Sequence, residues 1–227
     1  MIFNVEPSQI EKLNSTELVE LLRKLLYAEA QDAGISLRGV SVPLQITVAD
    51  GGEDARVSWE GGNERTDYLP SRFCIFQSKA TDPGPAGWKK EVWTKPSQKA
   101  SAKRELNDAV KETITKNGSY ICFTSAALVG GSKCSNRIIA IKDGIKDAEA
   151  DPNQLKAIDI YDANKIAAWA SKYPSIAVWL NEKQSGLTLK GFQTIGRLGK
   201  KADFVSIEQV EDKASRFIIE NTRGNEL

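Results

Sequence analysis

Apolar residues along this chain recur with two different periods, and the switches between them mark out the elements. Leu18, Leu22, Leu25 and Leu26, with Leu21 beside them, fall at helical spacing. Asn14 followed three residues on by Glu17 has the spacing of a capping box, so a helix is predicted over about 15–34. Its one strongly apolar face calls for a sheet to pack against. An extended piece over 40–48 leads to Asp50-Gly51-Gly52-Glu53-Asp54. Residues 55–60 (ARVSWE) then alternate with period two, 61–71 (GGNERTDYLPS) carry turn chemistry, and 72–79 (RFCIFQSK) form a second β-compatible run. Together these predict a hairpin with a long loop.

The Pro- and Gly-rich stretch 81–87 (TDPGPAG) predicts irregular chain, and helical periodicity over 97–117, through Ala102, Leu106, Ala109, Val110 and Thr113, stops at Gly118. A buried-type strand over 119–125, a helix over 135–150 and a strand over 157–161 follow. Asp162 can cap a helix over 163–172, and Pro174 restarts a short one through Leu180. This order predicts an α/β fold, a mixed β-sheet flanked by helices. From about Gln184 the chain is looser, with several glycines and a Lys200-Lys201 pair before an amphipathic run over 207–220. The expectation is one domain over 1–185, then a linker and the start of a following region, as in a piece of a larger protein.

Composition acts mostly by subtraction. The 227 residues include no histidine, which excludes Ser-His-Asp and Cys-His catalysis, His-containing zinc sites, an HNH-type nuclease centre and His-relayed phosphotransfer. Three cysteines, Cys74, Cys122 and Cys134, have no CxxC spacing, so neither a disulfide framework nor a zinc knuckle is expected. Cys122 and Cys134 read as core or bystander thiols. With 31 Lys plus Arg against 30 Asp plus Glu, the chain is not a globally basic nucleic-acid binder, although local runs can be. No apolar stretch approaches the ~18 residues of a membrane span, and the N-terminus lacks a basic and apolar leader, so a soluble cytoplasmic protein is expected. Chemistry must rest on carboxylates, amides, lysines, hydroxyls or a bound metal.

The hairpin supplies such groups. With its turn centred near Thr66, Asp54 falls opposite about Ser78, beside Gln77 and Lys79, which are two apart and so share a sheet face. Asp54, the Gln77 carbonyl and the main-chain carbonyl of Ser78 offer hard oxygens to Mg²⁺. Lys79 can orient a water and neutralise developing charge. Phosphodiester hydrolysis by this scheme needs no histidine. Because Gln77 is neutral, a second carboxylate is sought, and Glu29 is the candidate. It lies on the apolar helix face, at i+4 from Leu25 and i+7 from Leu22, near a helix C-terminus that disfavours an anion. The alternative is a helix-end carboxylate that reaches out to solvent. Glu20 with Lys24 at i+4 reads as an exposed pair, and Asp50 as a turn-former rather than a ligand.

Taken together, LLYAEA with Glu29, DGGED with Asp50 and Asp54, and FQSKA with Gln77 and Lys79 resemble the PD-(D/E)xK phosphodiesterase superfamily, in its Mrr-like branch with Q-x-K for E-x-K. They look in particular like nuclease domains fused at the N-terminus of bacterial antiviral STAND NTPases, and YDANKIAAWASKYPSIAVWL is similar to the end of those domains. The resemblance spans about 10–185. It implies a restriction-endonuclease-like α-β-β-α-β core and Mg²⁺-dependent cleavage of double-stranded DNA, Mn²⁺ substituting. It also implies a defence effector that a C-terminal NTPase or sensor region switches on by oligomerisation. Its catalytic set would be Glu29, Asp54, Gln77 and Lys79, with Glu29, Asp54, Gln77 and Ser78 at the metal. Glu53-Asp54-Ala55-Arg56 departs from the family's small-residue-Asp-Gly pattern, and Arg56 on the Asp54 face can alter affinity for metal or DNA.

Residues 88–104 (WKKEVWTKPSQKASAKR) hold six Lys or Arg against one Glu, with Trp88 and Trp93 interleaved. Lys89, Lys90, Lys95, Lys99, Lys103 and Arg104 are thus the expected grip on DNA phosphates, and a solvated helix start is the alternative. The glycines at 130–131 and 196–199 lack phosphate-loop spacing, and Trp169 and Trp179 read as helix packing. Two rival functions remain in view: a catalytically silent nucleic-acid-binding or docking module, favoured by Gln77 and Arg56, and an RNA-directed nuclease.

Overall fold

A computed structural model describes residues 3–43, 53–94 and 104–185. The leucine stripe forms a helix, α2 (Ser15–Asp32), after a single turn, α1 (Pro7–Glu11). The capping box is present in full: Asn14 Oδ1 accepts from the Glu17 N–H at 3.0 Å, and Glu17 Oε2 accepts from the Asn14 N–H at 3.2 Å. Leu18, Leu21, Leu22, Leu25 and Leu26 are fully buried. One turn is too short to show a period, so α1 leaves no signature in the hydrophobic pattern.

Five strands build one sheet: β1 (Val40–Ser41), β2 (Ala55–Ser58), β3 (Phe73–Lys79), β4 (Ser119–Thr124) and β5 (Ala157–Tyr161). Their spatial order follows the chain, with β1, β2 and β3 antiparallel and β4 and β5 parallel to β3. Between β3 and β4 lie α3 (Gly84–Glu91) and α4 (Asp108–Thr115), and α5 (Gly131–Asp147) links β4 to β5. After β5 come α6 (Ala163–Ser171) and α7 (Pro174–Ser185). The described residues form one α/β unit ending at Ser185.

The pleat sorts each strand between two cores. Cys74 and Phe76 of β3, with Ala55, Val57, Ile121, Phe123 and Tyr161, pack under α2, α6 and α7. Phe73 and Ile75, with Tyr120, Cys122 and Ile160, pack under α3, α4 and α5. Both faces of β3 and β4 are therefore covered, which is why their sequences run apolar without alternation.

Three expectations are corrected. Part of 81–87 is helical, because α3 starts at Gly84 with Pro85 in its first turn, where a missing N–H costs nothing. The helix predicted over 97–117 begins only at Asp108: Asn107 caps it, accepting from the Val110 N–H at 2.8 Å, and Leu106 pairs antiparallel with Trp93. Leu106 therefore joins the α3 core. Residues 97–103 lie outside the described set. The helix expected from 135 starts at Gly131, since Gly130 at φ 114° turns the chain into it. The amphipathic run over 207–220 lies outside the described residues.

Gly118 ends the turn into β4, and a Cβ there would lie 2.7 Å from both the Phe73 carbonyl oxygen and the Phe73 ring. Gly118→Ala is expected to lower stability by roughly 1–3 kcal/mol, as overpacking does. A thermal melt that matches wild type would contradict this packing.

Candidate active site

Ala55 pairs with Phe76 and Ser58 with Phe73, which places Asp54 opposite Gln77, one residue from the register expected. The centre of the loop lies half a residue earlier than Thr66. Asp54 caps the ladder: its N–H donates to the Phe76 carbonyl at 2.8 Å, while its Oδ2 accepts from Gln77 Nε2 at 2.8 Å and from the Ser78 N–H at 2.5 Å. Ser78 thus meets Asp54 through its N–H. Gln77 and Lys79 continue the face of Phe73 and Ile75, so Asp54, Gln77 and Lys79 come together on the α3 side of the sheet.

Gln77 is 7% exposed, and with its nitrogen turned to Asp54 its Oε1 has no hydrogen-bond partner among the described residues. Tyr120, fully buried on the same face, has a hydroxyl in the same state. An unsatisfied buried acceptor costs about 1–3 kcal/mol, so an amide oxygen left in this condition beside a carboxylate has the chemistry of a ligand awaiting a cation or donor. Asp54 and the Gln77 oxygen therefore fit a hard divalent ion as a partial donor set. Burial, and after it the Cys122, Glu91 and Asp54 charges, raise the Tyr120 phenol well above its usual range. Lys79 does not stand alone: its Nζ is 2.9 Å from Glu91 Oε2, at the end of α3, and both side chains are about one-third exposed.

Glu91 is the residue that the sequence reading missed. It is the lone acid of the basic run after the Q-x-K strand, and only the fold of α3 back onto β3 makes it a neighbour of Lys79. Glu29, by contrast, does not join the set. It sits on the opposite face of the sheet, 1% exposed, where its Oε2 accepts from Tyr173 Oη at 2.7 Å, Trp169 Nε1 at 3.0 Å and Lys172 Nζ at 3.4 Å. A carboxylate on an apolar helix face needs a cation, and Lys172, at the C-terminal cap of α6, supplies it. Among the described residues no group of three His, Cys, Asp or Glu side chains is placed to hold a metal.

The neighbouring charges are largely spoken for. Arg56 lies on the Asp54 face but bonds Glu53 at 2.8 Å and Glu112 at 2.8 Å, with its guanidinium 5.2 Å from the Phe73 ring. Of the expected DNA grip, Lys89 pairs with Asp147 at 2.7 Å, Lys90 is exposed, and Arg104 stacks 4.7 Å from the Trp93 ring. Lys95, Lys99 and Lys103, like Asp50, lie outside the described residues. Trp88 is fully buried and donates Nε1 to Asp82, and Trp93 donates to the Gly144 carbonyl at 2.8 Å, so both aromatics pack rather than present a face to bases. Asp82 also bonds Arg137 of α5, which ties the chain after β3 to that helix. Burial pushes the Cys74 thiol up to about 11 and raises Cys122 and Cys134, which disfavours their thiolate forms. No described helix is long and apolar enough to cross a membrane.

Comparison with known proteins gives no match to a family model, to a curated protein or to a solved structure.

Two outcomes follow from the Glu29 cluster. Glu29→Ala is expected to cost about 3 kcal/mol, the lower end for breaking a buried pair, because Lys172 keeps Asp32 at 2.8 Å. Chemical denaturation measures it, and an unchanged midpoint would refute the cluster's structural role. The second outcome concerns pH. Burial lowers the Lys172 ammonium, but Asp32 and Glu29 raise it further, and burial together with Glu29 raises the Tyr173 phenol. Both groups hold their protons more tightly when folded, so their contribution is intact below the ordinary Tyr and Lys values near ~10 and is lost above them. Stability should fall in that alkaline range, and less steeply in Tyr173→Phe.

Proposed function

We propose that this protein is a Mg²⁺-dependent endonuclease domain of restriction-endonuclease-like fold that hydrolyses phosphodiester bonds of double-stranded DNA, acting in the cytoplasm as the effector of an anti-phage defence protein. The observation that carries the reading is the amide of Gln77, held by its nitrogen on Asp54 with its oxygen buried and unpaired, two residues from Lys79 on the same face. The order of the strands supports it: an antiparallel hairpin carries Asp54 and Q-x-K, and parallel strands follow on its far side.

Mg²⁺ would be held by Asp54 and the Gln77 oxygen, and would supply Lewis-acid polarisation of the scissile phosphate and a more acidic water. The chain's own groups do the rest. The Ser78 N–H and the Gln77 amide fix the Asp54 carboxylate in one orientation. Lys79 brings a positive charge to where the attacking water and the developing phosphate charge would lie. The basic groups that remain exposed near α3, Lys90 and Arg104, are suited to the DNA backbone. A second reading, a catalytically silent module, draws on the Lys79–Glu91 ion pair, which already occupies the ammonium.

Supercoiled plasmid and single-stranded RNA, each with Mg²⁺ or EDTA, separate these. Nicking of plasmid by wild type under activating or forced-oligomer conditions, abolished by EDTA and reduced about 10²–10³-fold in Lys79→Ala, is the expected result. Equal nicking by the variant, or none by wild type in any of these conditions, would rule the enzyme out. Cleavage of RNA alone would transfer the reading to an RNA-directed nuclease.

A further inference from the structure

A divalent cation is held by several hard oxygens, usually with more than one carboxylate among them. The Asp54 centre has a single acid from the hairpin, and Glu29 lies across the sheet, its Oε2 engaged by Trp169, Lys172 and Tyr173. We infer that Glu91, at the end of α3, is the second carboxylate of this centre, so that Asp54, the Gln77 amide oxygen and Glu91 together form the cation site. The inference rests on the phosphodiesterase reading above and extends it to a residue outside the expected set.

Three observations place Glu91 there. Its carboxylate is 2.9 Å from Lys79 Nζ, and Lys79 is two strand residues, roughly 7 Å, from Gln77 on the same face. Tyr120, fully buried beneath that face, shares its apolar cluster with Trp88 and Val92, which flank Glu91. The main chain at Glu91 is also fixed: its carbonyl accepts from Asn107 Nδ2 at 2.8 Å, and Trp88 and Val92 on either side are fully buried. The unpaired Gln77 oxygen supplies the independent sign of a missing ligand. It is on the same amide as the nitrogen bonded to Asp54, so it lies within a few ångströms of that carboxylate.

Charge explains why Glu91 is partnered as it is. A carboxylate in the last turn of a helix faces the negative end of the macrodipole and needs a cation nearby. Lys79 answers that need, and at 28% exposure the Glu91 side chain remains open to an ion arriving from solvent. A cation bound between Asp54 and Glu91 would share the Glu91 charge with Lys79, and so leave the ammonium more available to a phosphate.

Titration of the full chain with Mn²⁺ by calorimetry tests this without relying on activity, using wild type, Asp54→Asn, Glu91→Gln, Lys79→Met and Glu29→Gln. Metal-free melts confirm that each variant is folded. Wild type is expected to bind Mn²⁺, with Asp54→Asn and Glu91→Gln each weaker by at least about tenfold, the loss that even a supporting partner brings. Lys79→Met and Glu29→Gln should bind no more weakly than wild type. Should Glu91→Gln fail to fold, Glu91→Asp keeps the charge with a shorter reach, and a several-fold loss of affinity is expected there. Wild-type affinity in Glu91→Gln alongside loss in Asp54→Asn would overturn Glu91 as a ligand and leave the nuclease reading standing. Equal losses in Glu91→Gln and Lys79→Met would make the ion pair the cause and overturn it as well. Absence of Mn²⁺ binding in wild type, or full affinity in Asp54→Asn, would sink the inference and the reading beneath it together.

Discussion

Everything in this domain hangs on the double burial of β3. Seven residues, Phe73–Lys79, must satisfy two helical layers at once, with Cys74 and Phe76 on one side and Phe73 and Ile75 on the other. An apolar strand of that kind has no solvent face, so every polar residue it carries has to be placed where the core ends. Gln77 and Lys79 occupy the last part of the strand, where the burial pattern passes from buried to intermediate. The pleat then leaves no choice of face: two residues apart, both point toward α3, and the neighbouring strand delivers Asp54 to the same spot through the β2–β3 ladder.

Two buried polar clusters on opposite sides of this sheet show how the same residue type takes different roles. Glu29 is closed in by Trp169, Lys172 and Tyr173, with Tyr68 stacked on Trp169 at 4.7 Å, and through its Oε2 it binds α2 to α6. Such a network stabilises the packing of the helices. The cluster around Asp54 is incomplete. The Gln77 oxygen and the Tyr120 hydroxyl are buried without partners among the described residues, and Lys79 and Glu91 remain partly exposed. Incompleteness of this sort is expensive in a folded protein and marks the side of the sheet where function is to be sought.

The absence of histidine narrows the chemistry, and the geometry narrows it further. The side chains gathered on the α3 face are carboxylate, amide, ammonium and phenol, and burial holds both the Tyr120 phenol and the Cys122 thiol in their neutral forms. Such groups suit charge stabilisation and cation binding, which the proposed phosphoryl chemistry would require. The basic run that follows β3 is less free than its composition implies, since Lys89 is paired with Asp147 and both tryptophans are engaged in packing.

Most of the elements and their succession along the chain were legible, because alternation in β2, the apolar runs of β3 and β4, and the caps at Asn14 and Asp162 are local signals. The shared face of Gln77 and Lys79 was legible too, from the period of two, but the hairpin register was legible only to within one residue: the loop length sets Asp54 opposite Ser78, and the ladder sets it opposite Gln77. What lay beyond reach was every contact between distant elements. Ala102 and Leu106 repeat at helical spacing, yet Leu106 pairs with Trp93 as Asn107 closes onto the end of α3. Glu29 was rightly singled out as a carboxylate out of place, but its partners are 140 to 144 residues away and no local pattern points to them. Glu91 appeared only as one negative charge among positive ones. Sequence alone thus determined which residues share a strand face, because that depends on spacing; which carboxylate stands beside Lys79 was decided by the packing of α3 on the sheet, because that depends on how far-separated surfaces fit.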